Sequence, residues 1–288
     1  MGTGGTMTRP APRDEIPSVV GPRCPYCGAD QSATGAAGRV PRGRRRWRRV
    51  VRRLLAIVIA LGVLGTVMSV GLSLITPSVA NAPALARALA HAHHAPYPGP
   101  PVPKQFAAAL IATEDHRFYM EQGIDPLAIV RVAYGSLTGQ PDQGGSTLYQ
   151  QLARMLYTPG GSGVAAEAEQ MTLGVKLAFS YSRAEVLQMY AEVAYFGSGY
   201  YGLDEASCGY FGVPPAGLGL PQAALLAGLM PAPSIYDPVT HLASARAREA
   251  HVLGRLVAMG VLTRAQADRA YRQPLHVRHG RRPGCRPG

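Results

Sequence analysis

Cysteine is scarce in this sequence, and so is charge outside its first quarter. Four of the 288 residues are cysteine, and charged residues make up 16%. Residues 1–53 carry 12 arginines and three acids, whereas residues 76–288 carry 17 basic and 14 acidic residues. The excess of base is therefore local, which argues against a basic face that binds nucleic acid. The apolar content of 47% is enough to bury a sizeable core.

Only two of the four cysteines precede the apolar segment, which is too few to complete a zinc site there. Cys24 and Cys27 form Cys-Pro-Tyr-Cys-Gly, which looks like half of a zinc ribbon, but tetrahedral Zn²⁺ needs four ligands. A Zn²⁺ site shared in a dimer, a degenerate remnant and an unmetallated turn all stay open. Cys208 and Cys285 lie beyond the apolar segment, where a disulfide is permitted, but the sequence does not show that they meet.

Charge is absent from residues 54–75, a 22-residue apolar segment. As a helix it spans roughly 33 Å, enough to cross a membrane. An arginine run at 39–53 precedes it, so the positive-inside rule predicts that residues 1–53 are cytoplasmic and residues 76–288 are outside. We expect an uncleaved anchor because the segment starts far from the N-terminus, although residues 77–86 leave a cleavage site open. A nucleic-acid patch or localisation signal is the alternative interpretation of the arginine run.

Strict apolar–polar alternation and internal repeats are also absent, so we predict a mostly α fold. The expected organisation is a basic cytoplasmic tail (1–53), a transmembrane helix (54–75), a juxtamembrane linker (76–103), a helical domain (104–272) and a disordered tail (273–288). Helices are predicted at 84–92, 104–113, 125–138, 146–156, 166–179, 183–194, 202–210, 221–229, 242–259 and 264–271.

Two adjacent carboxylates, Glu114 and Asp115, follow an apolar helix that runs from Phe106 to Ile111. The helix dipole disfavours a carboxylate at a helix C-terminus. Partial burial there would raise its pKa towards that of a useful general base. An ordinary solvated helix end is the alternative.

A second candidate site surrounds Gly144-Gly145-Ser146-Thr147. Ser146 is expected to be the N-cap of the next helix. On that helix Thr147, Gln150, Gln151 and Arg154 share one face by their spacing. A Gly-Gly turn lets an anionic or hydroxyl-rich ligand approach free backbone N–H groups. A solvated amphipathic helix has the same spacing, although such a face usually carries Glu and Lys.

Sequence blocks in a fixed order cover residues 101–262. They are Glu114-Asp115-x-x-Phe118 with Gly123-Ile124-Asp125, Gly-Gly-Ser-Thr-x-x-Gln-Gln at 144–151, and the segments 182–190, 195–202, 223–229 and 233–238. In order and spacing they resemble the signature motifs of the peptidoglycan glycosyltransferases. Residues after them leave no room for a transpeptidase domain, so the resemblance is to the monofunctional form.

The resemblance implies a lysozyme-like domain behind one N-terminal transmembrane helix of a bacterial plasma membrane. It also implies the polymerisation of lipid II into glycan strands, with inversion and release of undecaprenyl pyrophosphate. Its expected partners are lipid II, the nascent glycan strand, the membrane and other cell-wall synthesis proteins, with a role in cell shape and no nucleic acid. Pyrophosphate departure is expected to need positive charge or a divalent ion, Mg²⁺ or Mn²⁺.

The resemblance assigns a role to individual residues. Glu114 corresponds to the general base that takes the proton of the acceptor 4-hydroxyl. Substrate binding falls on Asp115, Phe118, Gly144, Gly145, Ser146, Thr147, Gln150, Gln151, Arg154 and Gln170.

The third motif of the family, Arg-Lys-x-x-Glu, is altered in this sequence. Gln170 stands where the family has its glutamate, and an amide does not ionise. No cation lies between Arg154 and Lys176. Glu167 or Glu169 is a substitute only if the segment is shifted.

Two further departures are Glu121, where the family usually has His, and Glu192, where it has Asn.

An active polymerase is the leading hypothesis for the function. A non-catalytic relative that binds lipid II or glycan, or that scaffolds cell-wall enzymes, is the second. A hydrolase that cleaves peptidoglycan with one carboxylic acid is the third.

Overall fold

The computed structural model describes residues 42–121, 123, 146–278 and 285. Its helices are α1 (Arg42–Ile75), α2 (Ala82–Ala92), α3 (Lys104–Glu114), α4 (Leu148–Tyr157), α5 (Val164–Ser180), α6 (Arg183–Val193), α7 (Leu203–Phe211), α8 (Leu220–Leu229), α9 (Leu242–Ala258) and α10 (Arg264–Arg272). The described residues also hold a 3₁₀ turn and one isolated β-bridge, but no strand. The predicted mostly α fold is confirmed, and the predicted helices α2 to α10 agree to within two residues at either end. The helix predicted at 125–138 lies outside the described residues.

The first helix carries the candidate membrane span. It contains an 18-residue segment with a mean hydropathy of 2.4, inside a candidate span of 29 residues, Trp47–Ile75. The candidate span is roughly 44 Å long, which exceeds the roughly 30 Å of a bilayer core. The helix is therefore long and apolar enough for the anchor expected at residues 54–75. The chain divides into two compact units, residues 1–61 and 62–288, and α2 to α10 belong to the second.

Helix α8 contains no charged residue and lies within the core. Its residues from Ala223 to Leu229 are all buried, and it packs against both α3 and α9. Phe106 of α3 and Phe196 lie against each other, with ring centroids 6.1 Å apart. Burial of one such leucine or phenylalanine side chain contributes about 1.5–3 kcal/mol. This packing fixes α3, whose last residue is Glu114.

Helices α4 and α5 form a close pair at Gly174. A Cβ at this position would lie 3.2 Å from Gln150 N and 3.3 Å from the Tyr149 carbonyl carbon, so glycine permits the close approach. The N-cap of α4 is Thr147, and the prediction of Ser146 is wrong. A capping box needs Glu or Gln three residues after the cap, and Gln150 satisfies this for Thr147.

The segment 76–103 is more than the linker expected from its composition. Ala82, Ala86 and Ala90 of α2 are buried. They are spaced four residues apart, so they share one face of the helix, and their small side chains allow a neighbouring helix to approach closely. The hydroxyl of Tyr157 donates to Asn81 at 3.0 Å, and that of Tyr181 donates to the Val79 carbonyl at 2.9 Å. These contacts make α2 part of the folded domain.

The first residues of the tail expected to be disordered, 273–288, are packed. Leu275 is buried, and the backbone N–H of Arg278 donates to the Tyr210 carbonyl at 2.8 Å. The Pro- and Arg-rich composition concealed this contact with α7. For residues 273–278 the expectation of disorder is therefore wrong.

Candidate active site

Glu114 is half-buried at the C-terminal end of α3. Helix α3 reaches this point through buried Phe106, Leu110 and Ala112. The guanidinium of Arg255 donates to the Ala112 carbonyl at 3.1 Å and satisfies one of the free carbonyls of the helix end. The carboxylate is thus held at a fixed end of a core helix, as the sequence predicts.

Burial raises the pKa of Glu114 above its ordinary value. A hydrogen bond from Gln151 and the charge of Arg248 oppose this shift, while Asp115 adds to it. The balance is a carboxylate with increased proton affinity. This is the property that a general base near neutral pH needs.

A hydrogen-bonded chain links Glu114 to the buried hydroxyl of Tyr190. The Gln151 side-chain nitrogen donates to Glu114 Oε2 at 3.2 Å, and the Tyr190 hydroxyl donates to Gln151 Oε1 at 2.8 Å. Burial holds the pKa of Tyr190 well above its usual value, so this phenol stays protonated and can donate. The Tyr190 bond therefore orients the amide so that its NH₂ group faces Glu114. We call this chain the Tyr190–Gln151–Glu114 relay.

Asp115 connects α3 to the start of α4. Its Oδ2 accepts the backbone N–H of Leu148 at 2.9 Å, and its side chain is buried. A carboxylate at a helix N-terminus is favoured by the helix dipole. Asp115 therefore brings α4, and with it Gln151, next to Glu114.

The side chains predicted to share one face of α4 divide between internal and exposed positions. Thr147 and Gln150 bond each other in the capping box, and the Thr147 hydroxyl also donates to the Gly123 carbonyl at 3.2 Å. Ser146 and Arg154 are exposed, and Gln151 is half-buried. The exposed pair is open to solvent, whereas Thr147 and Gln150 support the helix start.

Phe118 is fully buried, and its ring stacks on Tyr149 at 5.0 Å. The carbonyl of Phe118 accepts from Arg183 Nε at 3.2 Å. Its position in the first motif therefore corresponds to packing beneath the site. Gly144 and Gly145 lie outside the described residues, as do Cys24 and Cys27.

Arg248 of α9 supplies positive charge that sequence reasoning missed. Its Nε donates to the Gly228 carbonyl at 3.1 Å, and its guanidinium lies 5.2 Å from the centroid of the Tyr236 ring. A Cβ at Gly228 would lie 3.1 Å from the Arg248 Cβ, so a small residue is favoured there. Gly228 inside the apolar helix was the available signal, but it does not identify which residue approaches.

Comparison with known proteins identifies the family of this chain. The profile of the Transglycosylase family matches residues 84–257. A protein of Cupriavidus necator that bears the name transglycosylase is 32% identical over 231 residues, covering 79% of this chain and all of that protein. This chain belongs to the transglycosylase family.

Longer proteins also match part of this chain. Penicillin-binding proteins 1A of Aquifex aeolicus and Vibrio cholerae are 36% and 35% identical, over 62% and 60% of this chain. The matches cover 24% and 21% of those proteins, so this chain spans a quarter of their length or less. The crystal structure of penicillin-binding protein 1A from Haemophilus influenzae aligns with 62% of this chain and 17% of that one, with 20% identity and a TM-score of 0.38.

The altered third motif has a structural role in this chain. Gln170 is buried on α5, and its side-chain nitrogen donates to the Thr158 hydroxyl at 3.0 Å, just after α4. Lys176, the next cation after Arg154, donates to the carbonyls of Thr76 and Pro77 at 2.9 and 3.1 Å. Both side chains therefore tie α5 to neighbouring segments.

Glu192 also has a structural role. Its Oε1 accepts the Gly99 backbone N–H at 2.8 Å and the Gln188 side chain at 2.9 Å. It thereby fixes the proline-rich segment before α3 to helix α6. This contact gives a structural role to Glu192, which stands where the family has Asn.

The described residues do not fit a metal ion held by the protein alone. Among residues 42–121, 123, 146–278 and 285, no group of three or more His, Cys, Asp or Glu side chains comes together. The expected Mg²⁺, Mn²⁺ or Zn²⁺ stays a prediction, and no ligand is assigned.

Proposed function

We propose that this chain polymerises lipid II into the glycan strands of peptidoglycan. The observation that carries the proposal is a half-buried Glu114 with a raised pKa, oriented by Gln151 in a chain of the transglycosylase family. Glycosyl transfer to a sugar hydroxyl needs a group that removes the hydroxyl proton. Glu114 is the carboxylate that this site offers for the task.

The reaction follows from that role. Glu114 takes the proton of the acceptor 4-hydroxyl as its oxygen forms a bond to the anomeric carbon of the growing chain. The bond between that carbon and the phosphate oxygen breaks, and undecaprenyl pyrophosphate leaves with the bonding electron pair. Attack from the face opposite the leaving group inverts the configuration.

We expect arginine side chains to supply the positive charge for the pyrophosphate leaving group, because the altered third motif contains no cation. Arg154 is exposed on α4, the helix that carries Gln151. Exposed Ser146 lies just before the same helix and is placed to bind hydroxyl or phosphate oxygens. Arg248 is a second cation near Glu114, which favours the ionised carboxylate.

Membrane attachment supports a substrate that is itself a lipid. The candidate span in α1 is long enough to hold the domain at a bilayer. The domain and its lipid substrate then meet in the same membrane and not by diffusion through bulk solution. The arginines before the span support a topology in which residues 1–53 are cytoplasmic and the domain lies outside. Cell-wall synthesis proteins in the same membrane are the expected neighbours.

The test is conversion of fluorescent lipid II by the detergent-purified full-length chain, with Mg²⁺, with Mn²⁺ and with EDTA. We expect glycan strands that a muramidase degrades to the repeating disaccharide. Asp268→Asn is the control for loss of a carboxylate as such, because Asp268 is exposed on α10. This variant should retain full activity. Absence of strands in every ionic condition, in an assay where an authentic polymerase works, contradicts the proposal.

A second function, binding of lipid II without turnover, is favoured by the uncharged Gln170. It predicts saturable lipid II binding by the wild type without strand formation. Gln170→Glu restores the carboxylate of the family motif beside the Thr158 hydroxyl. Turnover by Gln170→Glu but not by the wild type would show that the uncharged residue 170 prevents turnover in the wild type.

A further inference from the structure

Two cysteines that are distant in sequence meet at α7. Cys208 is buried on this helix, and Cys285 lies near the C-terminus. Both the thiol and the backbone N–H of Cys285 are within hydrogen-bonding reach of the Cys208 sulfur. The proposed glycosyl transfer uses neither residue.

The tail reaches this position through specific packing. Arg278 donates its backbone N–H to Tyr210, two residues after Cys208, and Leu275 is buried. The Arg278 guanidinium lies against Gly212, where a Cβ would be only 1.7 Å from its central carbon. Gly212 also has φ +70°, so glycine ends α7 and makes room for the tail. Leu275 and Arg278 are therefore packed close to α7, the helix that carries Cys208.

We propose that Cys208 and Cys285 form a disulfide that fastens the C-terminal tail to α7. The inference rests on the outward topology in the proposed function, because disulfides persist outside the cytoplasm. The oxidant is a disulfide-exchange protein of that compartment. The two thiols lose two protons and two electrons to form one S–S bond, and the disulfide of the oxidant is reduced to two thiols.

The burial of Cys208 determines when this bond forms. Burial, with a smaller contribution from the hydrogen bond to Cys285, raises the pKa of Cys208 to about 12. The folded thiol is therefore a poor nucleophile at neutral pH. We infer that exchange occurs during folding, before α7 closes over Cys208.

The disulfide closes a loop of about 80 residues, which includes α8, α9 and α10. Cross-links across long loops restrict the unfolded chain most in the chain-entropy description. We expect reduction to lower the Tm of the domain by on the order of 10 °C. Cys285→Ser should lower it equally and should make the Tm insensitive to reductant.

The direct test is thiol labelling of the full-length chain in intact cells, in a Cys24→Ser, Cys27→Ser background. A membrane-impermeant maleimide should leave this chain unlabelled and should label Cys285 once Cys208→Ser is added. After denaturation with prior alkylation, peptide mapping should recover one linked Cys208–Cys285 peptide, two hydrogens lighter than the separate thiols.

Two outcomes overturn the disulfide, and they differ in what they say of the proposed function. If the impermeant reagent labels Cys285 in the background chain without reduction, the domain faces outward but the thiols are separate. If only a permeant reagent labels Cys285 in the Cys208→Ser chain, the domain is cytoplasmic, and both the disulfide and the outward topology are wrong.

Discussion

Removal of the Tyr190 hydroxyl probes the relay that orients Glu114. Tyr190→Phe keeps the buried ring but removes the donor that holds Gln151 Oε1 at 2.8 Å. The amide of Gln151 then loses the bond that fixes its NH₂ group towards Glu114. A carboxylate that loses a donor gains proton affinity, so we expect the pKa of Glu114 to rise further.

The size of this effect follows from the hydrogen bond that is put at risk. A hydrogen bond to a charged group contributes about 1.5–3 kcal/mol, and about 1.4 kcal/mol corresponds to one pH unit. Because the amide keeps part of its orientation by packing, we expect an upward displacement of about one pH unit. A general base works only when it is ionised, so the acidic limb of the rate profile moves to higher pH.

The assay is the rate of lipid II polymerisation against pH for the wild type, Tyr190→Phe and Tyr157→Phe. Tyr157→Phe is the matched control because it removes a hydroxyl bond on α4 that leads to Asn81, away from Glu114. We expect its acidic limb to coincide with that of the wild type. Equal limbs for all three proteins would refute the relay, even if Tyr190→Phe lowered the rate at every pH.

Three further changes address the charges around this site and in the core. Arg248→Gln should also move the acidic limb upward, because Arg248 lowers the pKa of Glu114, and Arg248→Lys should restore most of the wild-type profile. Asp115→Ala should lower the free energy of unfolding by about 2 kcal/mol in urea titrations, since it removes the partner of the Leu148 N–H; an unchanged midpoint would contradict this role. Burial raises the pKa of Glu249 from 4.5 to about 7 against the effect of Arg246, so its contribution to stability is complete below pH 4.5 and is lost as pH rises through 7. Urea titrations of Glu249→Gln should therefore lack a decline of up to about 3 kcal/mol in this window that the wild type shows.

Helices were predictable from sequence because their periodicity and caps are local. Ser182 and Glu185 form the capping box of α6, and the predicted start of that helix is correct. Ser146 is not the N-cap of α4 because Tyr149 stands three residues after it, whereas Thr147 is followed at that distance by Gln150. Cap choice depends on the side chain three residues later as much as on the cap residue.

The candidate site was predictable only in part because its chemistry depends on long-range contacts. Glu114 and Gln151 were identified from their motifs, and they meet in the structure. Tyr190 is the last residue of the segment 182–190, and nothing local indicates that its hydroxyl bonds Gln151. Arg248 lies more than 130 residues after Glu114, so its charge at the site follows from the packing of α9.

The same limitation applied to the segments at either end of the domain. Alanine-rich α2 has no motif, and its burial depends on the surfaces of α6 and α4. The residues at 273–278 pack because Gly212 leaves space for Arg278. Composition alone does not identify the contacts of either segment.

The most direct test of the central claim compares the wild type with Glu114→Gln in lipid II binding and in single-turnover glycosyl transfer. Glutamine keeps the shape and can bond Gln151, but it does not accept the proton. We predict similar lipid II affinities and a rate at least about 100-fold lower for the variant, as expected for loss of a general base. Transfer by Glu114→Gln within tenfold of the wild-type rate would contradict the role of Glu114, and inactivity of both proteins with intact binding would favour the non-catalytic function.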